Sequence, residues 1–187
     1  MGNGRKTVYN SISSPEKLAK VNPENIQLGT DFLEYLTSID RSKSTVDAYR
    51  NDLNIFWCWN LDNNNNKFFI DLSKREIAKY QNYCLNTLGW SPARMRRVKS
   101  TLSSMSNFIE NMMDDEFKDY RPIIRKIESP AACAVREKTI LEEDQLQELL
   151  DKLVEKEQYD KACMLSLAMN NGRRKAELPR MKLSYFT

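Results

Sequence analysis

The amino-acid sequence predicts an all-α fold built in two parts. Apolar side chains recur every three or four residues along most of the chain, as in amphipathic helices, and no stretch shows the strict alternation of a half-buried strand. Residues that typically cap helices precede several of these stretches. The 187 residues are 41% hydrophobic and 29% charged, a composition typical of soluble globular proteins with one or two small domains.

The first two predicted helices follow an N-terminal arm over residues 1–21, which we expect to be flexible. Asn22-Pro23-Glu24 predicts a helix start, because asparagine caps helices and proline suits the first helical position. We expect the second helix to begin at Ser44-Thr45-Val46-Asp47, which resembles a capping box, and to end before Asn60. The asparagines at 63–66 predict a polar loop.

Two more helices complete the first part of the chain. Ser73-Lys74-Arg75-Glu76 is a capping box that predicts the third helix, and Gly89 is expected to stop it. Ser91-Pro92 begins the fourth, in which apolar residues repeat from Met95 to Met112. Four amphipathic helices in a row predict a small bundle over residues 22–113.

Helical periodicity stops after this bundle. Residues 114–138 contain two prolines and a run of small side chains, which predicts an extended linker. In residues 139–187, Thr139-Ile140-Leu141-Glu142 resembles a capping box for a fifth helix, and a sixth is expected from about Asp160 to Asn171. This second part is small for an independent core.

Composition excludes several classes of function. The absence of histidine removes the commonest general base and the usual nitrogen ligand of zinc. The cysteines contain no C-x-x-C pair and have no histidine to complete a zinc site, so we expect packing thiols; they are Cys58, Cys84, Cys133 and Cys163. With no signal peptide and no apolar run long enough for a bilayer, the sequence predicts a cytoplasmic protein without a membrane partner.

The distribution of charge predicts a nucleic-acid site. Between Glu76 and Glu110 the chain has no acidic residue, where its average composition would place about four or five. Five basic residues lie in this stretch: Lys79, Arg94, Arg96, Arg97 and Lys99. The formal net charge is only +3, so a site for nucleic acid has to be a local patch.

The fourth helix is the best candidate for that patch. Opposite its apolar stripe it carries arginines and small polar side chains: Arg96, Arg97, Ser100, Ser103, Ser104 and Asn107. Such a face suits duplex DNA, because guanidinium groups bind phosphates and small hydroxyl residues allow close approach. Arg94 and Lys99 add charge beside it. An ordinary solvated face is the alternative, although such faces usually mix both charge signs.

A second contact is predicted at the start of the second helix. The candidates there are Lys43, Ser44, Thr45 and Arg50, although capping alone explains Ser44 equally well. The nearby aromatic residues Phe56, Trp57 and Trp59 are expected in the core rather than stacked on bases. Glu142, Glu143 and Asp144 complement a helix dipole and predict no metal site.

These residues together resemble the core-binding domain of tyrosine recombinases, the phage-integrase family. The resemblance rests on Phe32-Leu33-x-Tyr35-Leu36, on Ser44-Thr45-Val46-x-Ala48-Tyr49-x-x-Asp52-Leu53-x-x-Phe56, and on the basic helix ending Ser106-Asn107-Phe108-Ile109. It continues with 138–144, similar to the family's entry into the catalytic domain. Residues 171–178, Asn-Gly-Arg-Arg-Lys-Ala-Glu-Leu, are similar to its first arginine motif.

The resemblance implies a small four-helix SAM-like core-binding bundle, a linker and the first helices of an incomplete α/β catalytic domain. It implies that Arg174 is the family's first catalytic arginine, which binds the scissile phosphate. The family's His-x-x-Arg pair is missing from this chain, and Tyr185 lies too early to be its nucleophile. We therefore expect this chain to bind DNA without cutting it.

For the intact parent protein, the resemblance implies a tetramer that acts on double-stranded DNA in integration and recombination, without a cofactor or a small-molecule substrate. One alternative is a helical regulatory or scaffold module that binds a protein partner. Another is a naturally short chain that competes with a full-length recombinase for its site.

Overall fold

The computed structural model describes residues 12–131, 141–171 and 177–181. The chain divides into two compact units, residues 1–133 and 134–187. Within the described ranges every regular element is helical, which confirms the predicted all-α class. The α-helices are α1 Pro15–Leu18, α2 Pro23–Ser38, α3 Lys43–Asn63, α4 Lys74–Asn82, α5 Pro92–Met112, α6 Glu143–Glu155 and α7 Tyr159–Asn171.

Three helices of the first unit begin where the sequence predicts. Asn22 caps α2, where its side chain accepts a hydrogen bond from the Glu24 N–H at 2.9 Å. Ser73 and Glu76 form the reciprocal capping box of α4. Ser91 caps α5 by accepting from the Arg94 N–H at 3.3 Å. These starts are local, since each bond joins residues within one helical turn.

The bounds of α3 differ from the prediction. The helix is capped by Ser42 and begins at Lys43, because the Ser42 hydroxyl accepts the Thr45 N–H. It also continues beyond Asn60 to Asn63. The Asn60 side chain is fully buried and donates to the carbonyl of Lys67 at 2.7 Å, so it fastens the following loop and does not end the helix.

Aromatic side chains form much of the core of the first unit. Phe56, Trp57 and Trp59 are 0%, 2% and 3% exposed, which confirms that they are core residues and not platforms for bases. The Phe56 ring packs edge-on against Tyr80 with centroids 4.9 Å apart, and such pairs add stability beyond the area that they bury. The packing joins α3 to α4.

The chain that follows α5 packs on the first unit, where the sequence predicts a linker. Ile124 is 1% exposed, the Tyr120 hydroxyl lies 2.6 Å from that of Ser106, and Arg125 pairs with Glu110 at 3.0 Å. Periodicity fails to detect this packing because single apolar residues in irregular chain can be buried without a helical pattern. Of the predicted linker, residues 132–138 lie outside the described ranges.

In the described ranges of the second unit, two α-helices lie near their predicted positions. The α6 helix begins at Glu143, where the Glu142 N–H donates to the Gln145 side chain at 3.1 Å; the predicted cap Thr139 lies outside the described residues. The α7 helix spans Tyr159–Asn171, close to the predicted range. Among the residues that the structure describes, no helix combines the length and the apolar character needed to cross a membrane.

Candidate nucleic-acid interface

The predicted basic face of α5 lies at the surface of the first unit. Ser100 and Asn107 are exposed, and Arg96, Ser103 and Ser104 are partly exposed. The opposite side of the helix is buried, with Met95, Val98 and Met105 each at 1% exposure or less. The surface accessible to a ligand is therefore polar.

Arg97 is held by an acidic residue from a neighbouring helix. Its Nη2 donates to Oδ1 of Asp52 on α3 at 2.7 Å, and the Thr101 hydroxyl donates to Oδ2 of the same carboxylate at 3.0 Å. The Arg97 side chain remains 47% exposed, whereas that of Asp52 is 1% exposed. Residues 77–109 contain no acidic residue in the sequence. In the folded unit, however, the acidic side chain of Asp52 lies against Arg97 of this stretch.

Burial shapes the electrostatics of this pair. Loss of solvent raises the pKa of the Asp52 carboxyl above its ordinary value, while Arg97 and the Thr101 hydrogen bond act in the opposite direction. A carboxylate in this position needs its partners, because an unpaired buried charge is strongly destabilising. Asp52 was not among the predicted site residues. In the sequence it appears only as one residue of the recombinase-like motif on α3.

Arg94 and Lys99 make contacts within the first unit. The Arg94 guanidinium lies over the Trp90 ring, 4.1 Å from its centroid, in a cation–π arrangement. The Lys99 amine donates to the Ile127 carbonyl and, at 2.9 Å, to the Ser129 hydroxyl. Burial lowers the Lys99 pKa. Both cations therefore contribute to packing, and the Lys99 amine is engaged with the chain that follows α5.

Hydroxyl groups cluster at the start of α3. The Ser42 hydroxyl lies 3.1 Å from that of Ser44 and 2.9 Å from that of Thr45. Lys43 is exposed beside them. Arg50, one turn further along, pairs with Asp47 at 2.7 Å in an exposed ion pair. Of the predicted residues here, Lys43 is the cation without an acidic partner in the described part of the chain.

A groove brings the two predicted contact regions together. A cavity of about 320 Å³ is lined by Thr45 from α3 and by Ser104 from α5. Asn107, Asn111 and Arg41 also line it. The other lining residues are apolar or aromatic: Phe32, Tyr35, Leu36, Ile39, Tyr49, Phe108 and Met112. Sequence reasoning missed Arg41 and Asn111, although Arg41 directly precedes the Ser42 cap and Asn111 continues the polar face of α5 by one turn.

The predicted catalytic arginine belongs to a part of the chain that the structure does not describe. Arg174 falls in residues 172–176, outside the described ranges, and so does Tyr185. In the ranges that are described, no group of three or more acidic or cysteine side chains could hold a metal ion.

Comparison with known proteins gives one informative similarity. No family model matches the chain, and no solved structure matches it. The chain is 28% identical over 166 residues to the SPbeta prophage-derived recombinase-like protein YomM of Bacillus subtilis strain 168. The match covers 87% of this chain and 49% of the relative, so the chain spans about half the length of the protein it matches. This similarity to a recombinase-like protein connects the chain with recombination.

Proposed function

We propose that this chain is the DNA-binding portion of a site-specific recombinase of the tyrosine recombinase family. Two observations on the sequence support the proposal. One is the similarity over 87% of the chain to a recombinase-like prophage protein. The other is the set of recombinase-like motifs along the sequence, from Phe32-Leu33-x-Tyr35-Leu36 to the Gly-Arg-Arg-Lys-Ala-Glu-Leu block at 172–178.

The observation that carries the DNA-binding proposal is the meeting of α3 and α5 at one groove, where polar side chains of both helices lie beside apolar and aromatic ones. Thr45 and Ser104 line the same cavity although 59 positions separate them in sequence. Arg41 lines it as well, and Arg96 and Arg97 lie further along the surface of α5. Guanidinium groups beside small hydroxyl and amide side chains suit a phosphate backbone, because they offer charge and donors while allowing close approach.

Within this proposal the predicted contact residues have different roles. Arg96, Arg97, Ser100, Ser104 and Thr45 are the candidates for direct contact. Lys43 is exposed at the start of α3 and extends the same polar surface. Arg94 and Lys99 contribute indirectly, since their charged groups contact Trp90 and the chain after α5.

The partner that we propose is double-stranded DNA, and the function proposed for this chain is binding. For the intact protein we propose strand exchange in a tetramer on DNA, with Arg174 on the scissile phosphate. Arginine suits that role, because its permanently charged fork binds two phosphate oxygens at once.

The test is the salt dependence of DNA binding. A labelled duplex of about 30 base pairs is titrated with wild type and with an Arg96→Ala/Arg97→Ala variant at several salt concentrations, and binding is followed by fluorescence anisotropy. Thermal unfolding first confirms that the variant is folded, because Arg97→Ala removes the charged partner of the buried Asp52. The wild type should show a steep decrease of log K with log salt, and the variant should flatten that slope by about one unit for each phosphate that it no longer neutralises.

A matched control removes the same charge from another surface. Lys74 and Arg75 are both exposed in the first turn of α4, and a Lys74→Ala/Arg75→Ala variant should keep the wild-type slope. Equal slopes of log K against log salt for the wild type and both variants would show that the α5 face is not part of the DNA interface. Absence of DNA binding by the wild type would contradict the proposal and favour a protein partner.

A further inference from the structure

The Asp52–Arg97 pair runs from the core of the first unit to its surface. The carboxylate end is 1% exposed, and the guanidinium end is 47% exposed. Residues 52 and 97 lie on different helices, so the pair also ties α3 to α5. Most exposed ion pairs join two mobile side chains and contribute little to stability, whereas one partner of this pair is buried.

Arg97 keeps hydrogen-bonding capacity after it has bonded to Asp52. A guanidinium group carries five N–H donors, and the bond to Asp52 Oδ1 uses Nη2. Donors remain on Nη1 and Nε for a second acceptor, and Arg97 shares the polar face of α5 with Ser100 and Ser104. The group can therefore bind a carboxylate and a phosphate at the same time.

Asp52 is itself fixed by a second bond. Thr101 is fully buried one turn after Arg97, and its hydroxyl donates to Asp52 Oδ2 at 3.0 Å. Both oxygens of the Asp52 carboxylate thus accept a hydrogen bond. The carboxylate, held in this way, fixes the orientation of the Arg97 guanidinium group. An arginine that is already ordered loses less conformational entropy when it binds a ligand than a mobile one does.

We propose that Asp52 is a positioning residue that holds Arg97 in the orientation needed to bind a DNA phosphate. This inference rests on the proposed DNA-binding function, which it deepens. Asp52 itself touches no DNA, since its side chain is buried beneath Arg97.

Whether one substitution raises or lowers the affinity for DNA distinguishes the positioning of Arg97 from simple electrostatic attraction. Asp52→Asn removes a negative charge next to the interface, so attraction of phosphate by net charge alone predicts tighter binding by the variant. Positioning predicts weaker binding, because an uncharged amide oxygen is a weaker acceptor than the carboxylate and holds the Arg97 guanidinium group less firmly. We expect Asp52→Asn to weaken duplex binding about 3- to 10-fold and to flatten the salt slope by about one unit, as Arg97→Ala does.

A double-mutant cycle then shows whether Asp52 acts through Arg97. In an Arg97→Ala background, Asp52→Asn should cause no further loss of affinity, since the residue that it positions is absent. Thr101→Val provides a variant of unchanged charge and similar shape. It removes the bond to Oδ2, and it should weaken binding in the same direction by about 2- to 3-fold. Thermal unfolding of every variant confirms that a folded protein is being compared.

Wild-type or tighter binding by both Asp52→Asn and Thr101→Val would overturn the positioning role. So would equal losses from Asp52→Asn with and without Arg97. Either result would leave the proposed function standing, because the wild type still binds DNA. If the wild type itself fails to bind the duplex, both the proposed function and this inference are contradicted.

Discussion

Asn25 on α2 accepts a hydrogen bond from the backbone N–H of Phe69 at 2.8 Å through its side-chain Oδ1. Its Nδ2 donates at 2.8 Å to the carbonyl of Lys67, which also accepts from Asn60 at 2.7 Å. Asn25 and Asn60 are both fully buried. The loop between α3 and α4 is therefore fastened to the core by asparagine side chains, which satisfy backbone groups that would otherwise lose water without gaining a partner.

Replacing Asn25 by leucine should lower the free energy of unfolding by about 1 to 3 kcal/mol. The Phe69 N–H would remain buried without its acceptor, while the Lys67 carbonyl would keep its bond from Asn60. Urea unfolding followed by circular dichroism measures the loss. As a control, Asn111→Ala at an exposed position of α5 should change stability by less than about 0.5 kcal/mol. Equal effects of the two substitutions would contradict the assigned role of Asn25.

Glu76 should make the stability of the first unit depend on pH in the acid range. Although burial acts to raise its pKa, the Lys67 amine and two hydrogen bonds from Ser73 hold the pKa of this carboxyl at about 2, below its ordinary 4.5. The Lys67 nitrogen lies 2.6 Å from Glu76 Oε1, and the Ser73 N–H and hydroxyl lie 2.8 and 2.9 Å from Oε2. The folded protein therefore favours the ionised form.

The stabilisation by Glu76 is complete above pH 4.5 and is lost as the pH falls towards 2. Glu76→Gln should lower stability by about 1 kcal/mol at neutral pH, since it removes a charged partner from the capping box. Melting temperatures of the two proteins, measured from pH 7 to pH 2, should converge at the acid end. A difference that stays constant over this range would show that the charge of Glu76 is not responsible.

Gly89 should tolerate no ordinary side chain without a cost in stability. It follows the π-helical turn Tyr83–Thr87 with a φ of +63°, and a Cβ there would meet no atom within 4 Å. The cost of Gly89→Ala is therefore conformational, about 1 kcal/mol, and Gly89→Asn should lose less because asparagine adopts this backbone region more readily. Chemical denaturation of the three proteins tests the order. Alanine equal to glycine would indicate a different local backbone.

Ile124 should control how tightly the chain after α5 is held on the first unit. Ile124→Ala removes buried methyl groups and should weaken this attachment by about 2 to 4 kcal/mol. Trypsin should then cut faster after Lys118 and Lys126, both exposed in the same segment. Asp114→Ala, an exposed change at the start of the same segment, serves as the comparison. Unchanged cleavage of the Ile124 variant would mean that Ile124 does not hold the segment.

Helix starts were predictable because they depend on neighbours in sequence. The bonds of Asn22 to Glu24, of Ser73 to Glu76 and of Ser91 to Arg94 each span two or three residues. A cap can therefore be recognised without knowing the fold. The predicted start of α3 was wrong because the sequence offers two serines, at 42 and 44, that could each cap the helix. Local chemistry does not distinguish between two such candidates.

The sequence alone determined that the chain is helical, that Phe56, Trp57 and Trp59 belong to the core, and that one helix concentrates basic and small polar residues. Only the tertiary structure decided what those residues meet. Asp52 and Arg97 are separated by 45 positions, and Asn25 and Phe69 by 44. The same applies to Ile124, which is buried from irregular chain. Contacts at such separations depend on how helices pack against one another, and periodicity reports which side of a helix is buried but not its partner.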